Sequence, residues 1–383
     1  MRASTADLDL THPAIADLRR TARRRIPHFA FEYLDSATGT EAAARRNRAA
    51  LDNVLFQPAI LAGDLSYATA TTFMGRDYPL PFGIAPIGMA GMIWPDAERL
   101  LARAAATHQI PYCQSTVAAA APEDTGPIAK EMGWFQHYPV HDLGIMRDML
   151  ERIKAAGFSN LVITVDVPGE SRRERQRRAH VAMPPRLTPS MIVSMMTHPR
   201  WALAMARSGP PRMPFPESYV DASAHDAFVH AGRVIRGWPD WDYFAALRAA
   251  WAGPLIIKGV SDPAMVPRLL EAGADALWVS NHTGRQFDGG PAAITQLPLI
   301  RATAGPDTPI IFDSGIDGGL DILRALSLGA DFTFLGRAFM YAVAAFAARG
   351  IDHLIHILRA DLEANMAQLG AATLSDVKER LLP

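Results

Sequence analysis

The 383-residue sequence predicts an α/β fold, a TIM (β/α)8 barrel with an N-terminal helical extension and a long insertion after the fourth strand. Three observations carry that prediction. Eight short apolar runs, rich in β-branched residues, recur along the chain. Helical periodicity fills most of the spaces between them, as strand–helix units require. The runs are hydrophobic nearly throughout, which suits parallel strands buried on both faces. Eight such units favour closure into a barrel, and a doubly wound open sheet is the second choice.

The elements follow in order. Residues 1–80 read as helices and include Phe29-Ala30-Phe31-Glu32-Tyr33-Leu34-Asp35-Ser36. The strands are Phe82–Met89, Ile110–Ser115, Trp134–Val140, Leu161–Val167, Pro254–Val260, Ala276–Asn281, Pro309–Gly315 and Asp331–Ala338. Helical periodicity covers Asp96–Thr107, His141–Ala156 and Pro263–Ala272, the last two followed by Gly157 and Gly273. Glycine is favoured just past a helix end. The insertion, about 168–250, holds the basic run Arg172-Arg173-Glu174-Arg175-Gln176-Arg177-Arg178 and then a Pro-, Met- and Trp-rich region. The barrel is expected over 81–350, helices over 351–383, and a single domain over 1–383, with no repeat beyond the βα period.

Composition narrows the function classes. With 49% hydrophobic and 20% charged residues, a large core is expected and wholesale disorder is not. A net charge of −1 gives no reason to expect nucleic acid as a partner. The single cysteine, Cys113, excludes a disulfide framework and a cysteine metal cluster, and no metal is expected. No apolar h-region follows the N-terminus, and no apolar run is long enough to cross a bilayer. The expectation is a cytoplasmic chain, either soluble or peripheral on the inner face of the cytoplasmic membrane.

The stretch Ser280-Asn281-His282-Thr283-Gly284-Arg285-Gln286-Phe287-Asp288-Gly289-Gly290 is the richest in chemistry. It follows the apolar run Ala276-Leu277-Trp278-Val279, so it falls where a strand gives way to a loop. Barrel enzymes do their chemistry on that edge. His282 can accept a proton near neutral pH, and Arg285 can grip a carboxylate with two parallel hydrogen bonds. The plainer alternative is a solvated loop with a stray histidine.

Other strand ends add polar groups: Pro86-Ile87-Gly88, Gln114-Ser115-Thr116, Gln136 with Tyr138, Thr164 with Asp166, Lys258, Asp313-Ser314-Gly315 and Gly336-Arg337. One barrel core cannot pair so many internally, whereas a polar ligand at the mouth can. Lys258 ends the apolar run Leu255-Ile256-Ile257 and is costly to bury without an anion. The seventh and eighth strand ends suit the usual barrel phosphate site. Neither GxGxxG nor a Walker sequence is present, so a dinucleotide or ATP held in those ways is not indicated.

These residues resemble the FMN-dependent (S)-2-hydroxy acid dehydrogenases and oxidases. The resemblance runs from about Asp7 to the C-terminus. It rests on SNHTGRQFDG at 280–289, on Ile311-Phe312-Asp313-Ser314-Gly315 and on Leu335-Gly336-Arg337. Pro86–Gly91, Trp94-Pro95 and His198-Pro199-Arg200-Trp201 look most like the mandelate and membrane lactate dehydrogenase branch.

The resemblance implies FMN as cofactor, a small 2-hydroxy acid as substrate, a quinone-type acceptor and a homo-oligomer, commonly a tetramer. It implies His282 as base, with Asp166 stabilising its protonated form. Arg285 and Arg173 would grip the substrate carboxylate, and Tyr33 and Tyr138 would hydrogen-bond the substrate. Lys258 would face the flavin N1 edge. Gln136, Thr164, Ser115, Ser280 and the backbone of Pro86, Ile87 and Gly88 would hold the isoalloxazine. Asp313, Ser314, Gly315, Gly336 and Arg337 would hold ribityl and phosphate.

An oxidase that uses oxygen and releases hydrogen peroxide is the nearest alternative. A non-catalytic barrel binding FMN or a phosphorylated metabolite is the alternative of another class. Residues Leu187–Pro216 are expected to lie on a membrane, with Trp201 at the edge of the apolar surface. The sequence departs from the family pattern at Asp317, where an arginine is usual near the phosphate. It departs again at Thr283, at Gly169-Glu170-Ser171 and at Ala179-His180.

Overall fold

A computed structural model describes residues 5–181, 188–220 and 237–383. Ten strands are present: β1 (Thr71–Phe73), β2 (Arg76–Tyr78), β3 (Phe82–Ile84), β4 (Tyr112–Ser115), β5 (Gly133–His137), β6 (Asn160–Thr164), β7 (Leu255–Val260), β8 (Ala276–Val279), β9 (Ile310–Phe312) and β10 (Phe332–Leu335). Strands β3 to β10 pair in parallel in chain order, and β10 returns to β3, closing the barrel. The chain is an eight-stranded TIM barrel, as the recurrent buried runs predict.

Each barrel strand falls where an apolar run stands, but most end earlier than the runs do. Pro86–Gly88, Tyr138, Asp166, His282, Asp313–Gly315 and Gly336 therefore lie on loops past the strand ends. Their backbones leave the ladder and become free to face a ligand. The register aligns Thr164 with Lys258 and Lys258 with Trp278, setting β6, β7 and β8 side by side at one rim.

Inside the barrel, Trp278 meets Phe334 at 4.4 Å and Trp134 meets Phe334 at 5.2 Å between ring centroids. The opposite end is sealed by an antiparallel hairpin, β1–β2, which the helical reading of residues 1–80 does not anticipate. Met74 and Gly75 both have positive φ, as a two-residue hairpin turn requires. The alternation about that turn buries Phe73 and Tyr78, which pack on Phe332 at 5.1 and 5.2 Å. Helices do precede it: Thr5–Thr11, Ile15–Arg25, His28–Asp35 and Ala42–Asp52. The helix Arg337–Phe346 packs against both Ile15–Arg25 and the C-terminal helix Ala348–Leu369.

The insertion carries helices Glu174–Arg178, Pro189–Met196, Pro199–Ser208 and Pro214–Glu217, and then Trp241–Ala250, which leads into β7. Trp201 is not at an exposed edge. It is 3% exposed, its Nε1 donates to the Ile93 carbonyl at 3.0 Å, and its ring lies edge-on to Phe29 at 5.6 Å. An indole with both a hydrogen-bond partner and an apolar slot gains more inside the protein than at an interface. Ile192, Val193, Met196 and Leu203 are exposed instead. Leu187 falls outside the described residues, so the segment expected to meet a membrane is described only from Thr188 on.

Candidate active site

The C-terminal rim of the barrel surrounds a cavity of about 640 Å³. All the candidate site residues except Asp166 and Ser280 line it, and those two touch residues that do. On one side, the loop after β8 presents His282, whose Nδ1 lies 3.2 Å from both carboxylate oxygens of Asp166. Burial pushes the Asp166 carboxyl upward, but His282 and Lys258 outweigh it and hold the group below its usual range. Asp166 is thus a carboxylate set against the imidazole.

The loop is bent sharply to do this. His282, Thr283 and Gly284 have φ of 54°, 57° and 74°. A side chain at Gly284 would bring its Cβ to 2.7 Å from Ala44 N, so only glycine fits there. Thr283 stands in a conformation that glycine adopts freely and a β-branched residue resists. Two bonds hold it: its N–H donates to Ser314 Oγ at 3.1 Å, and Arg337 Nη2 donates to its carbonyl at 2.9 Å.

Arg285 donates through Nη2 to the Tyr33 carbonyl at 2.9 Å and lies over the Tyr33 ring at 5.5 Å. Burial, helped by Arg173, pushes it down to about 9, which leaves it charged at neutral pH. Arg173 donates from Nε to Ser171 Oγ at 3.0 Å. Neither guanidinium has a carboxylate partner among the described residues. Two such cations facing one cavity make a place for an acid. Tyr33 OH donates to the Gly88 carbonyl at 3.0 Å. Burial and Asp166 push the Tyr138 hydroxyl well above its usual value, so it remains a donor.

On the floor, Lys258 Nζ lies 2.9 Å from Asp313 Oδ2 and 3.0 Å from Ser280 Oγ. Asp313 also accepts from Ser280 Oγ at 2.5 Å, Ser314 Oγ at 2.7 Å and Trp278 Nε1 at 3.0 Å. Burial pulls the Lys258 ammonium down, yet Asp313 and Asp166 more than offset it, so it stays protonated. The anion that a buried lysine demands is thus Asp313, in addition to any ligand. Gln136 Oε1 accepts from Ser115 Oγ at 3.0 Å, while its Nε2 is buried without a partner. An orphaned amide donor in a cavity wall calls for an acceptor on a ligand. Gly336 and Arg337 open the helix Arg337–Phe346, whose N-terminus has no side-chain cap.

Several contributors escape pattern reading. Asn47 and Asn281 exchange two 2.8 Å hydrogen bonds, tying the N-terminal helix Ala42–Asp52 to the base's loop. Asp288, in that same loop, accepts from Thr40 N and Ala43 N at 2.9 and 2.8 Å. Buried Glu98 accepts from Gly91 N at 3.2 Å and Ala119 N at 2.7 Å, joining the loops after β3 and β4. Arg19 and Arg48 reach the cavity wall from helices that read only as an N-terminal extension. A buried Asn or Glu on a charged helix is the one hint the sequence offers.

The family model of the FMN-dependent dehydrogenases matches residues 22–383. The chain belongs to that family. It is 36% identical over 373 residues to an L-lactate dehydrogenase of Pectobacterium atrosepticum, with 95% of each chain covered. Among solved structures it is similar to the monotopic membrane protein (S)-mandelate dehydrogenase, with a TM-score of 0.90 and 29% identity over 96% of this chain and 98% of that one. A mandelate oxidase aligns with a TM-score of 0.80 and 30% identity, covering 97% and 98%. The protein is an FMN-dependent 2-hydroxy acid oxidoreductase of the lactate and mandelate type, and the non-catalytic reading of the barrel falls away.

The residues present fit FMN. The orphaned Gln136 amide, the Lys258 ammonium and the Ser115 hydroxyl suit a planar ring with carbonyl and nitrogen edges. The uncapped helix start at Gly336-Arg337 suits an anionic tail.

Proposed function

We propose that this enzyme oxidises a small (S)-2-hydroxy acid of the lactate or mandelate class to the 2-oxo acid and passes the electrons to a quinone-type acceptor. The observation that carries the proposal is His282 backed by Asp166 in a cavity where Arg285 and Arg173 have no carboxylate partner among the described residues. Arg285 and Arg173 grip the substrate carboxylate and fix the α-carbon. Tyr33 and Tyr138 hydrogen-bond the bound acid. His282 takes a substrate proton, and Asp166 stabilises the imidazolium that results. Bound FMN supplies the two-electron acceptor and is held by Gln136, Thr164, Ser115, Ser280 and the backbone of Pro86–Gly88, with Ser314, Gly315, Gly336 and Arg337 toward its phosphate. Lys258, kept cationic by Asp313, would stabilise negative charge on the bound ring.

The cavity is also lined by Val117 and Val167, small apolar residues that leave room for a substrate side chain. Anaerobic titration of the purified yellow protein with L-lactate, mandelate and glycolate tests the reading. The flavin should bleach with lactate or mandelate, and a flavin that no 2-hydroxy acid bleaches refutes it.

The exposed residues Ile192, Val193, Met196 and Leu203, with Arg200, Arg207 and Arg212 in the same segment, support docking on the cytoplasmic membrane surface. No helix among the described residues is long and apolar enough to cross a membrane. Quinone lives in the bilayer, so docking and acceptor choice support each other. A homotetramer and a single functional domain over 1–383 complete the proposal.

A further inference from the structure

The end of the cavity suited to a phosphate holds an unpaired carboxylate of its own before any anion enters. Its walls include Gly315, Asp317, Gly336 and Arg337, with Arg19 and Arg48 reaching in from the N-terminal helices. Three guanidiniums suggest a strongly cationic site, but their pairing says otherwise. Arg19 is forked onto Asp35 at 2.6 and 3.0 Å. Arg48 donates to Asp321 at 2.7 Å and to Asp52 at 2.8 Å. Arg337 alone of the three has no carboxylate partner among the described residues, and it donates to the carbonyls of Asp35 and Thr283. Against Arg337 stands an uncommitted anion. The Asp317 carboxylate makes no hydrogen bond or ion pair among the described residues, and only its backbone N–H is engaged, by Asp321 at 2.9 Å.

The helix termini tell the same story. The helix Gly319–Ser327 follows β9 and points its N-terminus toward this region, but Asp361 of the C-terminal helix already accepts from Gly319 N and from Leu320 N, the latter at 3.2 Å. Its positive end is spent on a carboxylate. The helix Arg337–Phe346, without a side-chain cap, is left to serve the anion.

We infer that Asp317 is an affinity-determining residue that weakens the grip on the FMN phosphate, so that the flavin is held chiefly by its ring and the site discriminates poorly between FMN and riboflavin. The test uses apoprotein prepared from purified holoprotein and titrated with FMN and with riboflavin, followed by quenching of flavin fluorescence at low salt. Asp317→Asn should tighten FMN by about tenfold and change riboflavin by less than about twofold, since only FMN carries the charge that Asp317 repels. Asp317→Glu keeps the charge and should bind both flavins as the unmodified protein does. Added salt should shrink the difference between Asp317→Asn and the unmodified protein. Asp317 is exposed to solvent at the cavity wall, so none of these changes disturbs the core. Unchanged or weakened FMN binding by Asp317→Asn, or an equal shift for both flavins, would overturn the inference.

Discussion

At His282 the ring nitrogen facing Asp166 is Nδ1, which leaves Nε2 to meet the substrate. A carboxylate on Nδ1 fixes the tautomer and the ring's orientation. His282→Ala should leave the protein folded and yellow but slow flavin bleaching by about 10²–10⁴, the ordinary worth of a general base. Stopped-flow bleaching at unchanged flavin content measures it, and a normal rate would refute the assignment. Arg285→Ala should act mainly on KM, because the role proposed for Arg285 is to orient the acid and not to transfer a proton. That His282, Arg285 and Lys258 would gather at one rim was legible beforehand, since they are residue types with few structural uses at the end of an apolar run. The carboxylate partner of Lys258 was not. Asp313 stands just past the end of β9, two strands away from Lys258 on β7, and only the curled sheet brings it within 2.9 Å.

Between elements, the clearest joint is the buried carboxylate Asp35, near the end of the helix His28–Asp35. It accepts from Arg19 at 2.6 Å, from Arg175 of the insertion at 2.9 Å and from Tyr341 OH at 2.7 Å. One group thereby ties two N-terminal helices, the insertion and the last barrel helix together over the cavity. Burial alone would raise the carboxyl; Arg19, Tyr341 and Arg175 reverse that and bring it down to about 2. A depressed value means the contribution is present above the ordinary carboxylate pKa of about 4 and is lost as pH falls through the folded value. Asp35→Asn should therefore cost about 2 kcal/mol near neutral pH, with the deficit shrinking between about pH 4 and pH 2. Thermal melts across that range measure it, and a pH-independent deficit would point to packing alone. Polar joints of this kind are invisible to periodicity, as is the β1–β2 hairpin, because its strands are too short for a pattern to accumulate. The barrel strands were visible because burial on both faces writes itself as an unbroken apolar run. The same logic exposes the insertion. Replacing Ile192, Val193, Met196 and Leu203 by serine should leave flavin bleaching intact and release the protein from anionic liposomes. A full-length protein that already ignores such liposomes removes the membrane from the proposal.

Across the whole molecule, closure of the sheet decides where chemistry happens. The β1–β2 hairpin seals one end with Phe73 and Tyr78, while the other end gathers the loops after the barrel strands around the cavity under a roof of N-terminal helices. The proposed acceptor would approach through that roofed mouth, and Gly88 is one of the residues lining it. Its carbonyl takes the Tyr33 hydroxyl, and a Cβ built on it would stand 2.5 Å from Val117 Cγ2. A methyl group at this position cannot be absorbed without moving Val117, so the loop after β3 and the substrate wall must shift together. Gly88→Ala should therefore alter reactivity with oxygen, raising peroxide formation relative to quinone-analogue reduction, while leaving carboxylate binding through Arg285 and Arg173 in place. The measurement is the ratio of hydrogen peroxide released to quinone analogue reduced, for the unmodified enzyme and the variant under the same substrate. The unmodified enzyme should strongly favour the quinone analogue. Peroxide production that already matches the quinone rate would make it an oxidase, and the membrane-facing acceptor would fall with the dehydrogenase reading.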